Sequence, residues 1–181
     1  MIIFVILAAA VLATAYFVLG QAKFGKAPSG KRLERILKSP HYKNGKFNNL
    51  NQTPQLAEDT SMPEIMFRFL FGKTPDKRPA QEFHFQKTDL KKLDPSQNAY
   101  VWMGHSSYFM QIDGKKILVD PVLSGYASPF SFTGKAFRGT DLYKPEDIPE
   151  LDYLIITHDH WDHLDYKTVL KLFPKTKKII T

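Results

Sequence analysis

The chain has 181 residues, 43% hydrophobic and 24% charged, with 25 Lys+Arg against 18 Asp+Glu and no cysteine. That composition describes one folded domain with an appendage and excludes wholesale disorder or fibrous repeats. Without cysteine there are no disulfides, thiolate zinc sites or cysteine nucleophiles, while the compartment stays open. The formal charge of +7 is uneven: residues 21–60 hold eight Lys/Arg against three Asp/Glu, whereas 121–181 hold eight of each. No basic stretch interleaves aromatics as a base-stacking platform would, so no nucleic-acid partner is expected.

Met1 to Leu19 carries no charged side chain, and the run IIFVILAAAVLATAYFVL precedes Gly20. At about 1.5 Å per residue it is long enough to cross a hydrocarbon core of about 30 Å. The reading is a single transmembrane anchor over residues 1–20. The competing reading is a cleaved signal peptide, for which Gly20-Gln21-Ala22 offers a small-x-small site. Against it, no basic residue precedes the run, and the run exceeds the usual apolar core of about 7 to 15 residues. Lys23, Lys26, Lys31, Arg32 and Arg35 follow, and the positive-inside rule then places the remainder in the cytoplasm.

Residues 21–80 form a basic juxtamembrane and linker region. Ala27-Pro28-Ser29-Gly30 reads as a linker, Lys31 to Lys38 as a short helix stopped by Ser39-Pro40, and His41 to Thr60 as a loosely packed extended arm with an Asn44-Gly45 turn. Ser61-Met62-Pro63-Glu64 caps a helix through IMFRFLFG. Apolar side chains on nearly every side of it favour packing in a core over dipping into a membrane interface. Lys73 to Pro79 is a connector, and the main domain covers residues 81–181.

From Ala99 the pattern is that of strands. Ala99 to Met103 is followed by the Gly104-His105-Ser106-Ser107 interruption. Tyr108 to Ile112 and Lys116 to Val119 then flank Asp113-Gly114, a dipeptide suited to a tight hairpin turn. Asp120-Pro121 closes the second of these strands. Residues 122–150 read as a long surface loop, and Leu151 to Thr157 as a strand buried on both faces.

That strand leads into Thr157-His158-Asp159-His160-Trp161-Asp162-His163-Leu164-Asp165. In extended backbone His158 and His160 point the same way and present two imidazoles to one cation. Asp162 and His163 lie where the chain turns and serve a second cation. With 6 His and 12 Asp in the chain, a chance His-x-His-x-Asp-His match has a probability on the order of 10⁻³. Zinc is the default for this donor set, and manganese or iron fits it too. Asp165 caps a following helix with Tyr166, Val169, Leu170 and Phe173 on its apolar face, ended by Pro174.

The His158-x-His160-x-Asp162-His163 motif after a buried strand resembles the hallmark of the metallo-β-lactamase superfamily. Trp102-Met103-Gly104-His105-Ser106-Ser107, Ile117-Leu118-Val119-Asp120-Pro121-Val122 and Ile155-Ile156-Thr157-His158 resemble its branch of N-acylphosphatidylethanolamine-hydrolysing phospholipase D and L-ascorbate-6-phosphate lactonase. The resemblance implies an α/β fold, the N-terminal half of an αββα sandwich, preceded here by the transmembrane helix. It implies two metal ions per complete domain, His158 and His160 on the first, Asp162 and His163 on the second. It also implies a metal-activated water attacking a phosphodiester or ester, a lipid among the candidates, with Asp162 orienting that water. Asp120 corresponds to an acidic residue supporting the site from behind, with a simple turn residue as the alternative. His105 lines the pocket or serves as a structural histidine.

In the family a later half supplies a further histidine for each metal and a bridging aspartate. Only 18 residues follow His163, so the expectation is the N-terminal portion of a longer hydrolase, inactive alone. Three alternatives stand beside it: a non-catalytic or truncated metal-binding fragment, a lactonase-type hydrolase, and a membrane-tethered subunit completed by a second chain.

Overall fold

In the computed structural model, which describes residues 1–51, 53–54, 56–73 and 78–181, helix α1 spans Ile2–Leu19 with no buried side chain. Among the described residues it is the one helix long and apolar enough to cross a membrane, and a signal sequence has the same length and composition. Thr14 Oγ1 donates to Ala10 O at 2.8 Å, so this hydroxyl is satisfied within the helix, as a hydrocarbon environment requires. The described residues divide into two units, Met1–Lys77 and Arg78–Thr181.

Within the first unit α2 spans Gly30–Leu37, one residue earlier at each end than the expected Lys31 to Lys38. The arm beyond it is more ordered than expected. Strands β1 (Tyr42–Lys43) and β2 (Lys46–Phe47) pair antiparallel around Asn44-Gly45. Both turn residues have positive φ, 55° and 78°, the conformation Asn and Gly adopt at least cost. Gln52 and Gln55 of the arm, and residues 74–77 of the expected connector, lie outside the described residues.

Helix α3 spans Met62–Phe71 and starts as the sequence predicts. Ser61 Oγ accepts from Glu64 N, and Pro63 occupies the first turn. The expected core packing does not hold: none of its side chains is buried. Periodicity misled here because an all-apolar surface signals an apolar environment without saying whether protein or lipid supplies it.

The second unit is built on a five-stranded mixed sheet. Strands β3 (Ala99–Gly104), β4 (Ser107–Ile112) and β5 (Lys115–Val119) form an antiparallel meander; β6 (Leu151–Ile155) and β7 (Thr176–Ile180) extend it in parallel, in the order β3-β4-β5-β6-β7. Asp113 and Gly114 have φ of 47° and 73° and join Ile112 to its partner Lys115 through a two-residue turn. That is the hairpin the dipeptide predicts. Helix α4 (Tyr166–Leu172) carries the chain from β6 to β7.

Register separates two faces. Val101, Phe109, Leu118, Leu154 and Ile179 align across the sheet, and Phe109, Leu118 and Leu154 are fully buried together with Leu90, Ile148, Leu151 and Leu172. The opposite face carries Tyr100, Met110, Ile117 and Tyr153 in one row and Trp102, Tyr108, Val119, Ile155 and Ile180 in the next. It is largely apolar, with Lys178 ending the first row on β7; Tyr100 is 62% and Trp102 51% exposed, whereas Val119 is buried. Strand β6 is therefore not buried on both faces as expected; Asp152 and Tyr153 are only half-buried.

Two further expectations are corrected. The 122–150 segment lacks regular strands, but it is not merely a surface loop, since Leu123, Tyr143 and Ile148 complete the core. On α4 the buried positions are Thr168 and Leu172, with Val169 packed beside them, whereas Leu170 and Phe173 are exposed. Thr168 wins an inward place because its hydroxyl donates to Asp165 at 2.6 Å, satisfying a polar group that burial would otherwise penalise.

Candidate metal centre

Parallel pairing of β5 with β6 brings their carboxyl ends together, which is where open α/β sheets present ligand-binding groups. Asp120 follows β5 directly, and its N–H donates to Ile155 O at 2.9 Å, holding the two strand ends in register. Its φ of 44° lies in the left-handed region, which Asp tolerates better than most residues. Ser107 Oγ donates to the Asp120 carbonyl at 2.7 Å and fixes that backbone from β4.

The Asp120 side chain is buried and fully engaged. Oδ1 accepts from Thr157 N at 2.8 Å; Oδ2 accepts from Thr157 Oγ1 at 2.7 Å and from His163 Nδ1 at 2.8 Å. Burial opposes its charge, but the hydrogen bonds from His163 and Thr157 outweigh that penalty and hold the carboxyl below its ordinary range.

These contacts decide tautomers. A carboxylate only accepts, so in its neutral form His163 carries its proton on Nδ1 and leaves Nε2 with a lone pair. Thr157 gives its single hydroxyl proton to Asp120, so toward His158 Nδ1, 3.1 Å away, it can only accept. His158 is thereby also protonated on Nδ1, with Nε2 left for a ligand. One buried carboxylate, acting directly and through Thr157, sets both imidazoles. The sequence reading gave Thr157 no role; its position beside His158 in the motif was the only signal.

The loop after β6 turns back on itself. His163 N and Leu164 N both donate to His160 O, at 3.0 and 2.7 Å, and this tight reversal returns His163 to the strand end. Ring centroids lie 3.9 Å apart for His158 and His163 and 4.6 Å apart for His158 and His160. The two expected ligand pairs therefore adjoin rather than stand apart. Asp165 closes the loop by capping α4, its carboxylate accepting from Lys167 N and Thr168 N.

A two-residue turn from β3 to β4 supplies the remaining wall. His105, at φ 44°, places Nε2 2.8 Å from Asp162 Oδ2, and Ser106 Oγ donates to Asp162 O at 2.7 Å. Trp102 Nε1 donates to His105 O at 3.0 Å and steadies the turn. Burial disfavours the Asp162 charge, yet hydrogen bonds, that from His105 foremost, keep its carboxyl below the usual range. Asp162 Oδ2 also lies 3.7 Å from His163 Nε2. His105, Asp162 and His163 thus each offer one donor atom within 4.8 Å of the others, an arrangement that could hold a metal ion. All six candidate residues fall in one neighbourhood, with His105 brought into contact with Asp162 itself.

Residues 100–177 match the family model described as a beta-lactamase superfamily domain. The chain carries a metallo-β-lactamase superfamily domain. An uncharacterized protein of Mycobacterium tuberculosis is 32% identical over 134 residues, 74% of this chain and 36% of that protein. N-acyl-phosphatidylethanolamine-hydrolyzing phospholipase D 1 of Caenorhabditis elegans is 40% identical over 80 residues, 42% of this chain and 22% of that protein. A protein of Aeropyrum pernix named a metal-dependent hydrolase is 38% identical over 63 residues, 35% of this chain and 21% of that protein. The chain spans about a third of the length of the mycobacterial relative.

Proposed function

We propose that the protein is a membrane-anchored hydrolase of the metallo-β-lactamase superfamily that uses water to cleave a phosphodiester or other ester, with lipids as the substrate class. The observation that carries this reading is the donor set: four motif residues around one strand end, two of whose imidazoles are fixed with Nε2 free by a single buried carboxylate. The chain has no cysteine and the motif donors are imidazole and carboxylate, which suits zinc first and manganese or iron next.

His158 and His160 would hold one ion, Asp162 and His163 the other. Two bound cations supply Lewis acidity and lower the pKa of water toward neutrality. Asp120 and Thr157 orient His163 and His158. His105 and Ser106 hold Asp162, side chain and backbone, where its carboxylate is placed to orient water. The open apolar face of the sheet fits the second sheet that the family's αββα sandwich lays there, and activity belongs to that completed domain. Lipid as substrate draws support from the phospholipase D relative, and the cytoplasmic placement from the basic segment after α1.

Elemental analysis of the full chain purified in detergent tests the metal reading. The wild type is expected to retain metal and the His158→Ala/His160→Ala variant to lose it. Less than about a tenth of an equivalent in the wild type after incubation with zinc, manganese or iron salts sinks the proposal.

A further inference from the structure

Helix α3 stands out because it is well formed and yet, among the described residues, none of its side chains is buried. Its N-terminus is capped by Ser61, Arg68 pairs with Glu64 at 2.7 Å across one turn, and Gly72 N closes on Arg68 O at 2.7 Å. Along the same ten residues Met62, Met66, Phe67, Phe69, Leu70 and Phe71 are all exposed, Phe69 at 76%. At about 100° per residue, Glu64 and Arg68 form one narrow charged stripe. Met66 lies opposite that stripe, flanked by Met62, Phe69 and Leu70, while Phe67 and Phe71 border it. A broad apolar face with a thin polar edge is the design of a helix lying in a membrane interface.

Two observations identify lipid as the occupant. The first is proximity: 42 residues separate Leu19 from Met62, and folding part of them into α2 and the β1–β2 hairpin shortens their reach. If α1 enters a bilayer, α3 is confined near its surface. The second is charge, since the intervening residues 21–60 carry eight Lys/Arg against three Asp/Glu, and attract anionic headgroups.

We infer that α3 is a second membrane contact, lying at the boundary of headgroups and acyl chains with Met66 inward and the Glu64–Arg68 pair toward water. The inference rests on α1 being a retained anchor. Its consequence is that the chain joins the membrane at two points before the metal-binding domain begins.

The absence of native cysteine allows the test in the full chain. Single variants Leu12→Cys, Met66→Cys, Arg68→Cys and Asn44→Cys are spin-labelled and reconstituted in vesicles of three parts phosphatidylcholine to one part phosphatidylglycerol. Accessibility to oxygen is compared with accessibility to a water-soluble nickel chelate. All four side chains are exposed, so none of the substitutions removes a core contact. The expected result is lipid immersion at Leu12 and Met66, with an oxygen-to-nickel ratio at Met66 at least about threefold that at Arg68. A Met66 label as water-accessible as that at Asn44, with Leu12 immersed, overturns the inference and leaves the anchor standing. A Met66 label shielded from both reagents overturns it in favour of a protein contact. A Leu12 label outside lipid overturns the anchor and the inference together.

Discussion

The carboxylate of Asp120 and the imidazole of His163 meet at 2.8 Å through Nδ1, 43 residues apart in sequence, and this bond leaves the other nitrogen of His163 free. Asp120→Asn keeps the size and the tolerance for positive φ but replaces one accepting oxygen with a donor. Metal affinity should fall by roughly 10- to 100-fold. Asp120→Ala additionally leaves the Thr157 N–H without its partner and puts a less tolerant residue at φ 44°. It should cost about 2–4 kcal/mol. Chelator competition gives the first quantity and urea denaturation the second; an alanine variant more stable than the asparagine variant would contradict the argument.

Thr157 transmits the same control to His158. Thr157→Val preserves shape and removes the hydroxyl, freeing the His158 tautomer, whereas Thr157→Ser retains the oxygen. Metal affinity is expected to drop about tenfold in the valine variant and to recover in the serine variant. Nitrogen chemical shifts of His158 should show mixed tautomers only in the former. Equal affinities in the two variants would remove Thr157 from the site.

Phe109 anchors the covered face of the sheet with no exposed surface. Phe109→Ala should destabilise the domain by about 3–5 kcal/mol, and Phe109→Leu by appreciably less. Tyr100→Ala, on the open face, should cost under about 1 kcal/mol. Urea midpoints order the three, and a costly Tyr100 substitution would show that the open face is covered.

Asp152 links three strands, accepting from Lys116 N at 2.9 Å and pairing with Lys177 Nζ at 2.9 Å. The Lys116 hydrogen bond, then that of Lys177, lowers its pKa below the ordinary carboxylate value. A depressed folded-state pKa contributes stability above the unfolded-state value, near about 4, and loses it as pH falls through the folded-state value. Asp152→Asn should therefore lower the urea midpoint at pH 7 and lower it by less at pH 3. A difference that stays constant across this range would refute the assignment.

The sequence by itself determined the features whose cause is local. The length and apolarity of α1, the Asn44-Gly45 and Asp113-Gly114 turns, the caps at Ser61 and Asp165 and the spacing of His158, His160, Asp162 and His163 all arise from residues within a few positions of each other. Tertiary structure alone decided the rest. It joined Asp120 to His163, brought His105 from the β3–β4 turn onto Asp162, placed Thr168 inside and Leu170 outside, and drew Leu123, Tyr143 and Ile148 of an irregular segment into the core. The reason is physical: burial and hydrogen-bond satisfaction are properties of the packed whole, so a buried carboxylate or an inward threonine becomes legible only once the strands carrying its partners lie side by side.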